Sequence, residues 1–262
     1  MNHTSILHHF NLESGLLDIT LNRPERGNAL NAVLVNELIE LLMHYREHPQ
    51  LRCLILQSVG KQFCTGADLS WMATSAHAPF PENKRAADML SKCFELLAAF
   101  PASTLCWIEG HAMGGGVGLV ACCDIAMAVP ETSFVLPELE KNLLPSIIMP
   151  YLVRAIGHRR ALAHALSATA WTGKEALNEG LIHYCEPIKS LEKQKNKLLN
   201  AMTSFNPTLV AQLKDRVKQP ISDISTLIKE SAYDLARARC RPEAQNKLKI
   251  YLKDDAQEQD SK

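Results

Sequence analysis

The sequence predicts an α/β fold, and three observations carry that prediction. Short apolar runs alternate with amphipathic stretches through the first half of the chain. Asn, Pro and Gly bound those runs, as they bound strands. From about residue 145 onward the apolar residues recur almost throughout with a helical period.

In order, Leu16–Leu21 (LLDITL) reads as a strand closed by the turn residues Asn22, Arg23 and Pro24. Asn31 is placed to cap a helix whose apolar face is Leu34, Leu38, Leu41 and Tyr45, and Pro49 ends it. Leu51–Ser58 is a second strand, broken by Gly60. Residues 82–100 form a helix with Ala86, Met89, Leu90, Cys93, Phe94, Leu97 and Phe100 on one face, stopped by Pro101. Thr104–Glu109 is a strand that runs into Gly114, Gly115 and Gly116 and a small apolar helix through Cys122. Asp124–Val129 is the next strand. Thr172 caps a short helix ending at Gly180, and Leu181–Cys185 is the last strand expected. Beyond Pro187 the chain is charged and helical, punctuated by Pro207, Pro220 and Pro242. The expected division is a core over 1–190 and a helical region over 191–262.

The chain has 262 residues, with Lys+Arg and Asp+Glu both at 28. It lacks the basic excess of a nucleic-acid binder. Its eight cysteines, Cys53, Cys64, Cys93, Cys106, Cys122, Cys123, Cys185 and Cys240, form no CxxC pair and mostly sit in apolar runs. They read as reduced, buried thiols, and no metal site is expected. The adjacent pair Cys122-Cys123 reads as helix packing. The N-terminus has no secretory pattern, and no run reaches the ~18 apolar residues of a membrane span. The expectation is a cytoplasmic protein with no membrane or nucleic-acid partner.

Two strand ends carry unusual loops, Phe63–Leu69 and Gly110–Gly118. Glycines between an apolar strand and an apolar helix let a ligand approach the backbone. The helix start behind them offers unpaired N–H groups and a positive dipole end, which suits a developing anion. A nucleotide-binding loop is excluded, because no Gly-Lys-Ser/Thr follows and the dinucleotide fingerprint is missing. A third feature is Glu138, which follows Phe134-Val135-Leu136-Pro137. A carboxylate held beside apolar walls has its pKa raised and suits proton transfer near neutrality.

Residues 60–72 (GKQFCTGADLSWM) and 108–124 (IEGHAMGGGVGLVACCD) resemble the crotonase superfamily, the enoyl-CoA hydratases and isomerases. Further likeness lies in Asn22-Arg23-Pro24…Asn28-Ala29-Leu30-Asn31, Phe134…Pro137-Glu138, Ala155-Ile156-Gly157 and Thr172-Gly173-Lys174-Glu175-Ala176…Gly180-Leu181-Ile182. Together these cover about residues 10–254. The resemblance implies a superhelix of β-β-α turns and a C-terminal helical region that builds trimers or dimers of trimers. It implies that the N–H groups of Ala67 and Gly115 form an oxyanion hole for a thioester oxygen, with Glu138 catalytic. Coenzyme A would enter as part of the substrate and not as a separate cofactor. Thr65, Gly66, Asp68 and Leu69 match the strand end that meets its adenine, and Arg23 and Arg26 lie near its phosphates. Trp71, Gly114 and Pro137 are further candidate contacts. Tyr251 corresponds to an aromatic residue offered by a neighbouring subunit, although the usual lysine after it is Asp254 here.

The family's hydratases typically use two glutamates, and the first of those positions is Gly118. Three readings stay open: a hydratase working with Glu138 alone, an isomerase moving a double bond, and an acyl-CoA-binding scaffold without catalysis. Gly118-Leu119, Cys122-Cys123-Asp124 and Pro145–Tyr151, which replaces a glycine-rich segment, resemble the methylglutaconyl-CoA hydratase branch of leucine breakdown. The distal carboxylate of such a substrate needs a cation, for which His77, Lys84, Arg85 and Lys141 are available. His111 borders the glycine loop without an acidic or nucleophilic partner in the motif. Asp68 is expected to shape its loop, and Asp124 to turn the chain before its strand.

Overall fold

The computed structural model describes residues 5–218. The chain opens with β1 (Ile6–Asn11), β2 (Leu16–Leu21), α1 (Ala32–Tyr45), β3 (Cys53–Ser58) and β4 (Gln62–Cys64). The helices α2 (Leu69–His77) and α3 (Phe80–Ala98) follow, then β5 (Ser103–Ile108), β6 (His111–Met113) and α4 (Gly115–Cys122). The strands β7 (Ile125–Ala128) and β8 (Ser133–Val135) lead to α5 (Met149–Ile156) and α6 (His158–Ser167). The remaining elements are β9 (Trp171–Thr172), α7 (Gly173–Glu179), β10 (Tyr184–Cys185), α8 (Ile188–Ser204) and α9 (Pro207–Lys218).

From β3 to β8, consecutive strands go to alternate sheets. One sheet has the order β1-β2-β3-β5-β7-β10 and the other β4-β6-β8-β9. Thus β3 and β4, then β5 and β6, then β7 and β8 each place one strand in each sheet before a helix returns the chain. Parallel pairing within each sheet requires that return, because parallel neighbours cannot be joined by a hairpin. Only β1–β2 and β8–β9 are antiparallel among the described strands.

Period-two alternation divides the larger sheet between two cores. Leu54, Leu56, Cys106, Ile108, Ala126 and Ala128 face the main core, with α1, α3 and α4. Cys53, Ile55, Leu105, Trp107 and Met127 face the other way and are covered by Leu191 and Met202 of α8. This two-sided burial explains why β3 and β5 read as continuous apolar runs. Residues 5–214 lie in one compact unit; a second begins at Asp215, of which only residues 215–218 are described.

Local chemistry sets the element ends. Asn31 Oδ1 accepts from Leu34 N–H at 2.9 Å and starts α1, which buries Leu34, Val35, Leu38, Leu41 and Leu42. That helix stops at Tyr45, before Pro49. Thr172 and Glu175 form a reciprocal capping box on α7, and Gly180 ends it in a left-handed conformation. The strands β1, β4, β6, β8 and β9 escape a reading of the sequence. Four of them have only two or three residues, and β1 is mostly exposed.

Asp124 does more than turn the chain. Its carboxylate accepts from Thr104 N–H (2.8 Å) and Thr104 Oγ1 (2.9 Å), and Lys214 lies 2.5 Å away. It therefore ties the start of β5 to the start of β7. Burial pushes Cys53, Cys64 and Cys93 up to about 12, so these thiols stay protonated. Cys240 lies outside the described residues. No described helix is long and apolar enough to cross a membrane.

Candidate active site

The loop between β2 and α1 is fixed by a buried asparagine. Asn28 adopts a left-handed conformation (φ 55°), and its side-chain amide donates to Val59 O and Gln62 O, both at 2.8 Å. Its Oδ1 accepts from Arg23 N–H at 2.7 Å. This holds the following residues against the end of β4, where Leu30 forms an isolated parallel bridge with Ala67. The bridge is made by Leu30 N–H to Gly66 O (2.7 Å) and Asp68 N–H to Leu30 O (2.9 Å). Such a bridge uses the groups flanking Ala67 and turns Ala67's own N–H to the opposite side. That N–H has no protein acceptor among the described residues.

A second unpaired donor comes from the start of α4. Gly114 N–H donates to Val135 O at 2.9 Å, and Gly118 N–H returns to Gly114 O at 3.1 Å. Gly115 is the first residue of the helix, so its N–H has no intrahelical partner. Gly114 has φ 46°, which favours glycine, and a Cβ there would lie 2.5 Å from Glu138 Oε1. The Glu138 carboxylate is therefore packed against the backbone that immediately precedes the free N–H.

Glu138 opens a 3-10 turn, Leu139–Lys141, that closes through Asn142 in a left-handed conformation. Its Oε2 is buried and has no hydrogen-bond partner among the described residues. Burial raises its pKa above the ordinary carboxylate value, against smaller opposing effects from its own backbone hydrogen bond and from Lys141.

These groups share a cleft of about 750 Å³. Arg26, Thr65, Gly66, Ala67, Asp68, Leu69, Gly114, Gly115, Pro137 and Glu138, all singled out in the sequence, line it. Phe94 and Leu90 of α3 and the segment Leu143–Ile148 supply apolar wall that sequence reasoning did not assign. The departure from a glycine-rich segment at Pro145–Tyr151 was the available signal, since bulky residues there must fill space.

Gly118 explains itself in this wall. A Cβ on it would overlap Ile148 Cγ2 and lie 2.9 Å from Phe94 Cε1. The place for a second carboxylate is thus taken by apolar side chains.

Several candidates sit elsewhere. Arg23 does not line the cleft; its guanidinium donates to Ala29 O (2.6 Å) and to Asp68 Oδ2 (3.2 Å). It holds Asp68 in place. Asp68 caps α2 by accepting from Ser70 and Trp71 N–H. Burial alone would raise its pKa, but the Trp71 and Ser70 amides and Arg23 hold it below the usual value. Trp71 is also absent from the lining; it packs on the hydrophobic core, because α2 turns that side inward. His77 bonds Ala73 O within its own helix, Lys84 pairs with Asp88, and Arg85 donates to Pro81 O. Of the four cations considered for a distal carboxylate, only Lys141 lines the cleft. His111 Nδ1 is bonded to Ser133 Oγ. Tyr251 and Asp254 lie outside the described residues. Among the described residues no group of three or more His, Cys, Asp or Glu is arranged to hold a metal ion.

Residues 11–249 match the family model "Enoyl-CoA hydratase/isomerase". An enoyl-CoA hydratase from Shewanella pealeana superposes with a TM-score of 0.88 at 30% identity, covering 96% of this chain and 94% of that one. The structure of Pseudomonas aeruginosa AtuE superposes with a TM-score of 0.88 at 30% identity, covering 95% and 96%. Among relatives, the 1,2-epoxyphenylacetyl-CoA isomerase of Escherichia coli is 29% identical over 86% of each chain. Enoyl-CoA hydratase ACTT6 of Alternaria alternata is 30% identical over 77% of this chain and 66% of its own length.

Proposed function

Because the chain belongs to the enoyl-CoA hydratase/isomerase family, we propose that it adds water to an α,β-unsaturated acyl-CoA. In this reading Glu138 is the one acid–base group, and the Ala67 and Gly115 N–H groups receive the thioester oxygen. The observation that carries it is the buried, unpartnered Glu138 Oε2 in the same cleft as two N–H groups without acceptors.

The Glu138 carboxylate takes a proton from water while the water oxygen bonds to the β-carbon. The double-bond electrons move onto the thioester oxygen, where the two N–H groups and the start of α4 stabilise the charge. The enolate then collapses, and Glu138 returns its proton to the α-carbon. One water is consumed and no other reactant is needed. Each oxyanion donor is worth about 3–4 kcal/mol at the transition state. A single carboxylate on one side of the enoyl plane delivers both H and OH to the same face.

The motifs at Gly118-Leu119, Cys122-Cys123-Asp124 and Pro145–Tyr151 support 3-methylglutaconyl-CoA as substrate, in leucine degradation, and the cysteine usage supports a cytoplasmic setting. The family also supports a homotrimer or dimer of trimers, with residues 191–262 as the assembly region and Tyr251 reaching a neighbour's coenzyme A. A second reading rests on the packed Gly118 position. One carboxylate suffices to move a proton between the α- and γ-carbons, so an isomerase needs nothing that this cleft lacks.

Incubation with 3-methylglutaconyl-CoA, crotonyl-CoA and further enoyl-CoA thioesters, with products weighed by mass spectrometry, separates the readings. Gain of one water supports hydration. A shifted double bond at constant mass supports the isomerase. Binding without turnover across the panel overturns both.

A further inference from the structure

The ionisable side chains of the cleft are Arg26, Asp68, Glu138 and Lys141. Asp68 is neutralised by Arg23 at 3.2 Å and by two backbone amides. Glu138 is the half-buried carboxylate whose Oε2 is buried without a partner among the described residues. Arg26 stands on the Pro24–Arg26 turn; the next residue, Gly27, accepts from Thr65 N–H at 3.0 Å, so this cation lies at the β4 end of the cleft. Lys141 stands on the other wall. Its N–H donates to Glu138 O at 3.0 Å, and its charge acts on the Glu138 carboxyl. Its ammonium is exposed and has no ion-pair or hydrogen-bond partner among the described residues. The side chains that follow it in this wall, Leu143, Leu144, Ile147 and Ile148, are apolar.

An unpaired cation at the edge of an apolar wall, one turn from the acid–base carboxylate, matches an anionic group carried on the acyl chain. We infer that Lys141 selects acyl-CoA thioesters whose acyl group ends in a carboxylate. The inference rests on the proposal that the cleft takes acyl-CoA. It is separate from catalysis, because binding alone expresses it. A neutral acyl group leaves Lys141 solvated. A carboxylated one gains an ion pair against a low-dielectric wall. An exposed pair of this kind is worth up to about fivefold in affinity.

Unreactive thioesters test this without requiring turnover. Calorimetric titration would compare free coenzyme A, butyryl-CoA and glutaryl-CoA, at low and raised salt. The wild-type chain should bind glutaryl-CoA about twofold to fivefold more tightly than butyryl-CoA, and salt should erode the difference. Lys141→Gln should abolish that preference, while Lys141→Arg should restore it. Equal affinities in the wild type, or a preference that survives Lys141→Gln, would overturn the inference. So would a Lys141→Gln loss shared by free coenzyme A, which would assign the lysine to the coenzyme A moiety. Failure of all three ligands to bind would instead remove the acyl-CoA reading, and the inference with it.

Discussion

The two walls of the cleft are built on different principles. One offers two backbone donors, Ala67 N–H, turned outward by the Leu30 bridge, and Gly115 N–H at the start of α4, with Arg26, Thr65 and Asp68 lining the cleft beside them. The other offers side chains, Glu138 and Lys141, on a short turn that ends in the left-handed Asn142. Donors in the first wall are aimed by strand pairing and helix geometry, which no single side chain controls. The second wall depends on the identity of each residue, and its neighbours decide whether a charge there is stable. In the proposed reading, oxyanion stabilisation belongs to the backbone wall, and proton transfer and choice among substrates to the side-chain wall.

The largest effect should come from the side-chain wall. Glu138→Gln keeps the shape of the residue and should lower kcat by about 10²–10⁴-fold. Rates of thioester hydration, followed by absorbance and product mass, check this; retained activity would remove Glu138 from the chemistry. Next, Gly115→Pro deletes one N–H at a helix position that tolerates proline. It should cost about 10²–10³-fold in kcat, with thermal melting used to confirm that α4 still forms.

A third variant tests why the site has one carboxylate. Gly118→Glu should destabilise the fold by about 1–3 kcal/mol through overpacking against Ile148 and Phe94, measured by urea unfolding. Combining it with Ile148→Ala should recover part of that loss. Smaller again, Asp68→Ala removes the α2 cap and should cost about 1 kcal/mol, read from the same unfolding curves.

The last contrast is one of pH. Burial raises the Glu138 pKa, so the native state holds this proton more tightly than the unfolded chain does. Its contribution is fully present below the unfolded pKa and is lost as pH rises through the higher folded value. Glu138→Gln should therefore gain stability relative to wild type as pH rises from acid toward neutral. Activity should show an acid limb above the ordinary glutamate range, because the base must be ionised. Unfolding midpoints and kcat/KM across pH check the two signs together.

Much of the molecule is legible in the sequence because its signals are local. Asn31 and Thr172 announce their helices with side-chain caps, and the run from Cys53 to Leu56 announces a strand buried on both faces. The α2 helix was less legible, since Asp68 reads equally as a loop residue until its two amide partners are seen. The strands β4, β6, β8 and β9 are too short to show a period, yet they form the sheet at whose ends the site is built.

By itself the sequence determined the α/β alternation, the glycine-led start of α4, a lone glutamate after Pro137, and a glycine where a second acid was expected. Each is a property of a residue and its near neighbours. Only the tertiary structure decided that Arg23 is spent on Asp68, that Trp71 faces the core, and that Ile148 and Phe94 close the space over Gly118. Those outcomes depend on which distant side chains compete for one volume or one charge. Close packing allows a single answer, and that answer is set by contacts across the fold.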